Sequence, residues 1–285
     1  MKKRRPIEYL LLSCALLSII LLFAIAISLF KEGLPIFKVV NPVKFIFGSH
    51  WYPAHDPPEF GTLPLILASL LIAIGALIVA VPLGIGSAIY MTELAHPKIK
   101  EIIKPILELL ASIPSIIYGF FGMVIFAPFV QKIFNIPTGL TALTASILLG
   151  IMAVPTITSI AEDSITSIPN NIREASHALG ATKWETIIQA VIPAARSGIL
   201  TAIILGMSRA IGETMTVLMI AGGAAVIPKS FLQPVRPMTA TIAAEMGEAP
   251  MGSLHFHALF AIAAILFLIT LGFNILANHI KEKRI

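Results

Sequence analysis

Residues 172–193 read IREASHALGATKWETIIQAVIP, and the chain is organised around this stretch. Ile172 to Leu179 has the composition of one short helix, and Gly180 supplies the permissive backbone that ends it. Thr182 is placed to cap a second helix starting at Lys183, and Glu185 three residues on completes a capping-box pattern. Pro193 is expected to close that second helix and redirect the chain. Two short polar helices about a glycine, set between long apolar runs, describe a surface loop joining two membrane spans.

The flanking sequence is apolar almost throughout. The 285 residues are 57% hydrophobic and 12% charged, with mean hydropathy +0.92, whereas a soluble domain is about half apolar and about a quarter charged. Six stretches are long enough to cross a hydrocarbon core: 9–30, 63–91, 106–130, 140–161, 198–226 and 256–280. The expected fold class is therefore all-α, a polytopic membrane protein with six transmembrane helices. Residues 1–62 divide off as an N-terminal helix and outer loop, residues 63–285 as the main membrane domain, and the polar loop occupies about 163–197.

With the N-terminus inside, Lys2, Lys3, Arg4, Arg5, Lys98, Lys100, Lys104, Arg173, Lys183, Arg196, Lys281, Lys283 and Arg284 fall on the inner side. Lys31, Lys38, Lys44, Lys132, Lys229 and Arg236 fall outside. The roughly two-fold excess places both termini and the 172–193 loop in the cytoplasm. The first span is too long for a signal-peptide core and is expected to be retained. Cys14, the single cysteine, excludes an internal disulfide. The pI near 9.4 suits an anionic lipid surface rather than nucleic acid. His50, His55, Asp56 and Glu59 in the first outer segment match no metal-ligand spacing.

Pro82 and Pro155 lie inside spans and predict kinks, while Pro105 and Pro114 are expected to keep the 92–110 turn from running unbroken into the third span. Only the fifth span carries ionic side chains deep inside it, in Ser208-Arg209-Ala-Ile-Gly-Glu213-Thr214-Met-Thr216. An arginine at mid-membrane costs at least about 2.5 kcal/mol, so Arg209 should face a cavity or a partner. Glu213, four residues on, is expected on the same helical face. Two readings follow: a self-neutralising Arg209–Glu213 pair that packs the bundle, or an anion gate. In a gate, Arg209 attracts an oxyanion and Glu213 accepts the O–H of protonated phosphate, which sulfate lacks. Ser208, Thr214 and Thr216 are further hydroxyl candidates.

Glu174-Ala175-Ser176, Gly180 and Ile192-Pro193 resemble the EAA loop of binding-protein-dependent ABC importers. Ile113-Pro-Ser-Ile-Ile-Tyr-Gly-Phe-Phe-Gly122, Ser208–Met215, Thr239-Ala-Thr-Ile-Ala-Ala-Glu-Met-Gly-Glu248 and His257–Phe260 narrow the resemblance to the PstC-type permease subunit of phosphate importers, over about residue 60 to the C-terminus. Met215 fits the C-type subunit better than the A-type. The resemblance implies the type I permease fold. It also implies a PstA-type second permease, a PstB-type ATPase dimer carrying ATP and Mg, and a PstS-type extracytoplasmic binding protein for phosphate. Glu174, Ala175, Gly180, Ile192 and Pro193 would then be the ATPase-coupling residues. The segment from Pro228 to Leu254, with Arg236, is a candidate contact with the binding protein.

The chain has no phosphate loop, because Gly180-Ala-Thr-Lys183 lacks the earlier glycine and a preceding strand, and it has no zinc-protease motif or Ser nucleophile motif. Neither an ATPase site nor a catalytic role is expected. Three rivals stay open: a permease for sulfate or molybdate, a stand-alone secondary transporter using Arg209 and Glu213 as a proton relay, and a membrane scaffold for phosphate sensing.

Overall fold

The computed structural model describes residues 6–282, so Lys2, Lys3, Arg4, Arg5, Lys283 and Arg284 of the charge count lie outside the described residues. Six helical stretches are long and apolar enough to span: Ile7–Lys38, Leu63–Leu94, Ser115–Phe134, Ala142–Thr166, Lys183–Gly212 and Leu254–His279. In chain order the helices are α1 (Pro6–Gly33), α2 (Pro42–Phe47), α3 (Leu63–Ile89), α4 (Pro97–Ser112), α5 (Ser115–Phe121), α6 (Ala127–Phe134), α7 (Ala142–Thr166), α8 (Asn170–Ala178), α9 (Lys183–Thr186), α10 (Ile192–Gly212), α11 (Met215–Ile220), α12 (Met238–Glu245) and α13 (Leu254–Glu282). A two-residue hairpin, β1 (Trp51–Tyr52) with β2 (Glu59–Phe60), is antiparallel.

The centre of the bundle is the α3–α7 pair, the most extensive helix contact in the chain. Small residues permit the approach. A Cβ on Gly150 would lie 2.7 Å from Val79 Cβ and 2.9 Å from the Ala76 carbonyl oxygen, and one on Gly84 would lie 2.8 Å from Ile157. Thr158 Oγ1 adds a hydrogen bond to the Gly84 carbonyl at 3.2 Å. α10 packs on α7 and α3, and α13 packs on α10. α1 stands outermost against α13, with Gly33 pressed on Ala261 and most of its apolar surface uncovered.

The two ends differ in chemistry. One gathers Lys98, Lys100, Lys104, Arg173 and Lys183, and ties its loops by Lys100–Glu162 at 2.9 Å and Arg173–Glu93 at 2.6 Å. At the other, α2 and the hairpin bury Phe45, Trp51 and Phe60 against Met238, Leu259 and Ile262. Glu245 there accepts from Trp51 Nε1 at 3.0 Å and Arg236 Nη1 at 2.5 Å, and pairs with His255 at 2.9 Å.

Four sequence expectations need correction. Pro193 does not close the second loop helix: α9 passes through a π-helical turn, Ile187–Val191, straight into α10. The wider i→i+5 turn sits where the missing N–H and the proline ring would disrupt an α-helix, so the helix continues. The same device, Gly122–Phe126, precedes Pro128 in the third span. Pro105 does not break α4 either, since residues 101 and 105 are both exposed and the carbonyl that lost its donor is not sealed in an apolar core. Pro114 makes the break, with Ile113 and Pro114 extended, and the third span runs 115–134 rather than 106–130. The fifth span, expected over 198–226, is displaced toward the N-terminus and its helix stops at Gly212.

The α3–α7 contact yields a prediction. Gly150→Ala places a methyl against a Cβ and a main-chain oxygen, which cannot rotate away, and should cost about 1–3 kcal/mol. Gly86→Ala meets nothing within 4 Å. In detergent, the thermal unfolding midpoint should fall by several degrees for Gly150→Ala only; equal midpoints would mean the helices are not held at this distance.

Candidate functional site: a broken helix beside Arg209

α10 ends because Glu213 takes an extended backbone (φ −69°, ψ 131°), and α11 starts again at Met215. Breaking a helix inside an apolar bundle frees N–H and C=O groups that lipid cannot satisfy. Neighbouring hydroxyls and one carboxylate take them up. Thr239 Oγ1, at the start of α12, donates to the Glu213 carbonyl at 2.8 Å. Thr216 N–H donates to the Glu213 carboxylate at 3.3 Å, and the Thr216 hydroxyl donates to the Ser115 carbonyl at 2.9 Å. Thr214 Oγ1 turns back to the Gly212 carbonyl at 3.3 Å. The break is thus stitched to α5 and α12.

Arg209 occupies the last turn of α10 and is exposed on this chain. Its Nη1 donates to Thr156 Oγ1 on α7 at 3.1 Å. Among the described residues no ion pair joins Arg209 to Glu213. The expected shared face required a continuous helix, and the helix ends one residue before Glu213. The small void between the two, bounded by Leu149, Met152 and Ala153, measures ≈ 10 Å³. That is at the limit for one water, so Arg209 is open to larger groups only from its exposed side. Ser208 and Glu213 are half-buried and Thr216 is buried.

From Thr156 a cleft of ≈ 310 Å³ opens between α4 and α7 toward the basic end, lined by Lys104, Glu108, Pro155, Thr156, Ser159 and Glu162. Glu162, 8% exposed, is neutralised by Lys100 at 2.9 Å and Lys104 at 3.9 Å. The Arg209 guanidinium and this cleft share one hydroxyl, that of Thr156.

The loop has the local structure its residues dictate. α8 ends at Gly180, whose φ of +85° is a left-handed conformation suited to glycine. Thr182 and Glu185 form the reciprocal capping box. Ser176 Oγ and Thr186 Oγ1, 2.9 Å apart, join the two helices. Leu179 is 90% and Trp184 58% exposed, and Glu174 and Ala175 are exposed with them. Ile192 is half-buried and Pro193 exposed, both within the continuous α9–α10 rod. The loop and the Arg209 region are therefore joined by a helix of 30 residues, not by direct contact.

Sequence reasoning missed Thr156, Thr239 and Glu93. Each acts through a contact distant in sequence, and only the hydroxyl of Thr156 beside Pro155 in an apolar span was a local signal. Arg173 was read as a topological charge alone.

Comparison with known proteins is consistent with this geometry. Residues 80–285 match the family described as "Binding-protein-dependent transport system inner membrane component". A Bacillus subtilis protein named probable ABC transporter permease YqgH is 38% identical over 95% of this chain and 89% of its own length. Phosphate transport system permease proteins PstC of Mesorhizobium japonicum and Haemophilus influenzae are 37% and 35% identical, over 90% and 94% of this chain and 84% and 90% of theirs. Among solved structures, a bacterial alginate ABC transporter chain aligns at TM-score 0.64 with 15% identity, covering 97% of this chain and 95% of that one. A chain of the MetNI methionine ABC transporter, inward facing, aligns at 0.56 with 20% identity, covering 77% and 94%. At such identities these two speak for the fold alone. The chain belongs to the binding-protein-dependent transport system inner membrane component family and has the six-helix fold of type I ABC importer permeases.

Proposed function

We propose that this chain is a permease subunit of an ATP-driven phosphate importer. The observation that carries the reading is the broken fifth span, where an exposed Arg209 stands beside a carboxylate held by the Thr216 N–H, in a chain whose relatives named PstC match it over nine-tenths of its length. Arg209 supplies attraction and a donor fork for an oxyanion. Glu213 accepts the O–H of protonated phosphate and repels sulfate, which has no proton to offer. Ser208 and Thr214 are the neighbouring half-buried hydroxyls of the pathway, and Thr216, fully buried, holds the Glu213 carboxylate in place.

The subunit is non-catalytic. It forms the pathway with a second, PstA-type permease, receives phosphate from a PstS-type extracytoplasmic binding protein, and is driven by a PstB-type ATPase dimer that binds ATP and Mg. Glu174, Ala175 and Gly180 present the docking surface, and Ile192 and Pro193 carry its movement into α10. The basic end of the bundle faces the cytoplasm, with both termini on that side. ATP-bound partners favour one of two permease arrangements, and that differential binding moves the Arg209 region between the two faces.

Two outcomes are expected in proteoliposomes holding the whole complex. Arg209→Gln removes a charged donor and should lower phosphate uptake about tenfold or more, while Glu213→Gln should weaken the exclusion of excess sulfate. Unchanged phosphate uptake and unchanged sulfate exclusion in Glu213→Gln would remove its proposed role. Separately, Gly180→Leu forces a side chain into left-handed backbone and should cut uptake per ATP hydrolysed with normal membrane insertion; lost insertion would make the loop structural.

A further inference from the structure

The first half of the loop is joined to α9 by Ser176 and to α3 and α7 by Arg173 on α8. Its Nη2 donates to Glu93 Oε1 at 2.6 Å and its Nε to the same carboxylate at 3.2 Å. Nη1 donates to the Ile168 carbonyl at 2.7 Å and Nη2 to the Ile165 carbonyl at 3.2 Å. The pair is well shielded, with 19% of the Arg173 side chain and 10% of the Glu93 side chain exposed. Glu93 lies in the π-helical turn Tyr90–Leu94 that ends α3, Ile165 lies in the last turn of α7, and Ile168 lies two residues beyond its end. One planar fork thus joins α8 to both members of the central α3–α7 pair. Such multidentate geometry fixes direction as well as distance, which a lysine would not do.

The second half of the loop is attached differently. α9 continues through its π-helical turn into α10, a rod of 30 residues, about 45 Å at 1.5 Å per residue, with Arg209 near its far end. Displacement of the loop therefore reaches α7 through Arg173 and α10 through the helix itself. The two routes meet again where Arg209 of α10 donates to Thr156 of α7.

We infer that Arg173 and Glu93 are positioning residues of the transport cycle: they latch α8 to α3 and α7, so that loop movement becomes a displacement of α10 against α7 at the Arg209–Thr156 contact. The latch rests on the reading of the loop as the ATPase-coupling segment and is independent of which anion is carried.

The test uses the complete complex in proteoliposomes and reads phosphate uptake per ATP hydrolysed. Arg173→Gln should lower that ratio about tenfold while ATP hydrolysis continues, and Glu93→Gln should lower it in the same direction. The double variant should be no worse than Arg173→Gln, because both remove one interaction. An unchanged ratio in Arg173→Gln, or losses that multiply in the double variant, overturns the latch. A second measurement needs no transport. Ser164 and Ser197 line the same cleft between α7 and α10, and with Cys14→Ser the pair Ser164→Cys and Ser197→Cys reports their separation. A non-hydrolysable ATP analogue should change the cross-linking rate, and Arg173→Gln should abolish the change. An equal change with Arg173→Gln overturns the latch. A parent complex that takes up no phosphate, yet shows the Arg173-dependent cross-linking change, sinks the substrate reading and leaves the latch standing.

Discussion

A helix that stops inside an apolar bundle has to pass its unpaired backbone groups to neighbours, and the arrangement of this chain follows from how that demand is met at residues 212–216. The Thr239 hydroxyl satisfies the Glu213 carbonyl, and Thr216 reaches across to the Ser115 carbonyl. Those bonds place α12 and the start of α5 against the break, while the Thr216 N–H holds the Glu213 carboxylate, which makes no ion pair with Arg209 among the described residues. An arginine and a carboxylate that neutralised each other would leave little field for a passing anion. Held apart on a broken helix, each keeps its own chemistry.

The same break marks the far end of the helix that separates the loop from Arg209. α10 is anchored at one end by the π-helical turn that tolerates Pro193 and terminates at the other beside Arg209. It packs as one continuous rod against α7, whose own position is set by glycine contacts with α3. A pair of closely packed helices and one continuous rod make a frame across which Arg209 of α10 donates to Thr156 of α7. Packed interfaces of this kind change between discrete arrangements rather than deforming smoothly, which is what alternating access requires.

Much of this was readable from residues alone where the determinants are local. Gly180, Thr182 and Glu185 specify a turn and a capping box within six residues, and the loop has that structure. The count and rough position of the six spans follow from hydropathy because a bilayer demands a minimum apolar length. What escaped was decided by context. Proline alone does not reveal whether a π-helical turn or an exposed helix face will absorb it, so Pro193 and Pro105 were read as breaks. The end of α10 at Gly212 lies hidden within an apolar run extending to Val226, because hydropathy does not register a backbone turn whose polar groups are satisfied by Thr214 and Glu213 within it and by Thr239 from far away in sequence. Thr239 and the Arg173–Glu93 pair share that property, and Thr156 offers only its hydroxyl beside Pro155 in an apolar span as a local signal.

The most direct test of the account asks whether the anion passes the Arg209–Thr156 contact. With Cys14→Ser as background, Thr156→Cys in the assembled complex would be modified with small thiosulfonate reagents of opposite charge, with and without phosphate. The account predicts that the anionic reagent reacts faster than the cationic one and that phosphate slows it where equal sulfate does not. Equal rates for the two reagents, with no protection by phosphate at concentrations that saturate uptake, would contradict it.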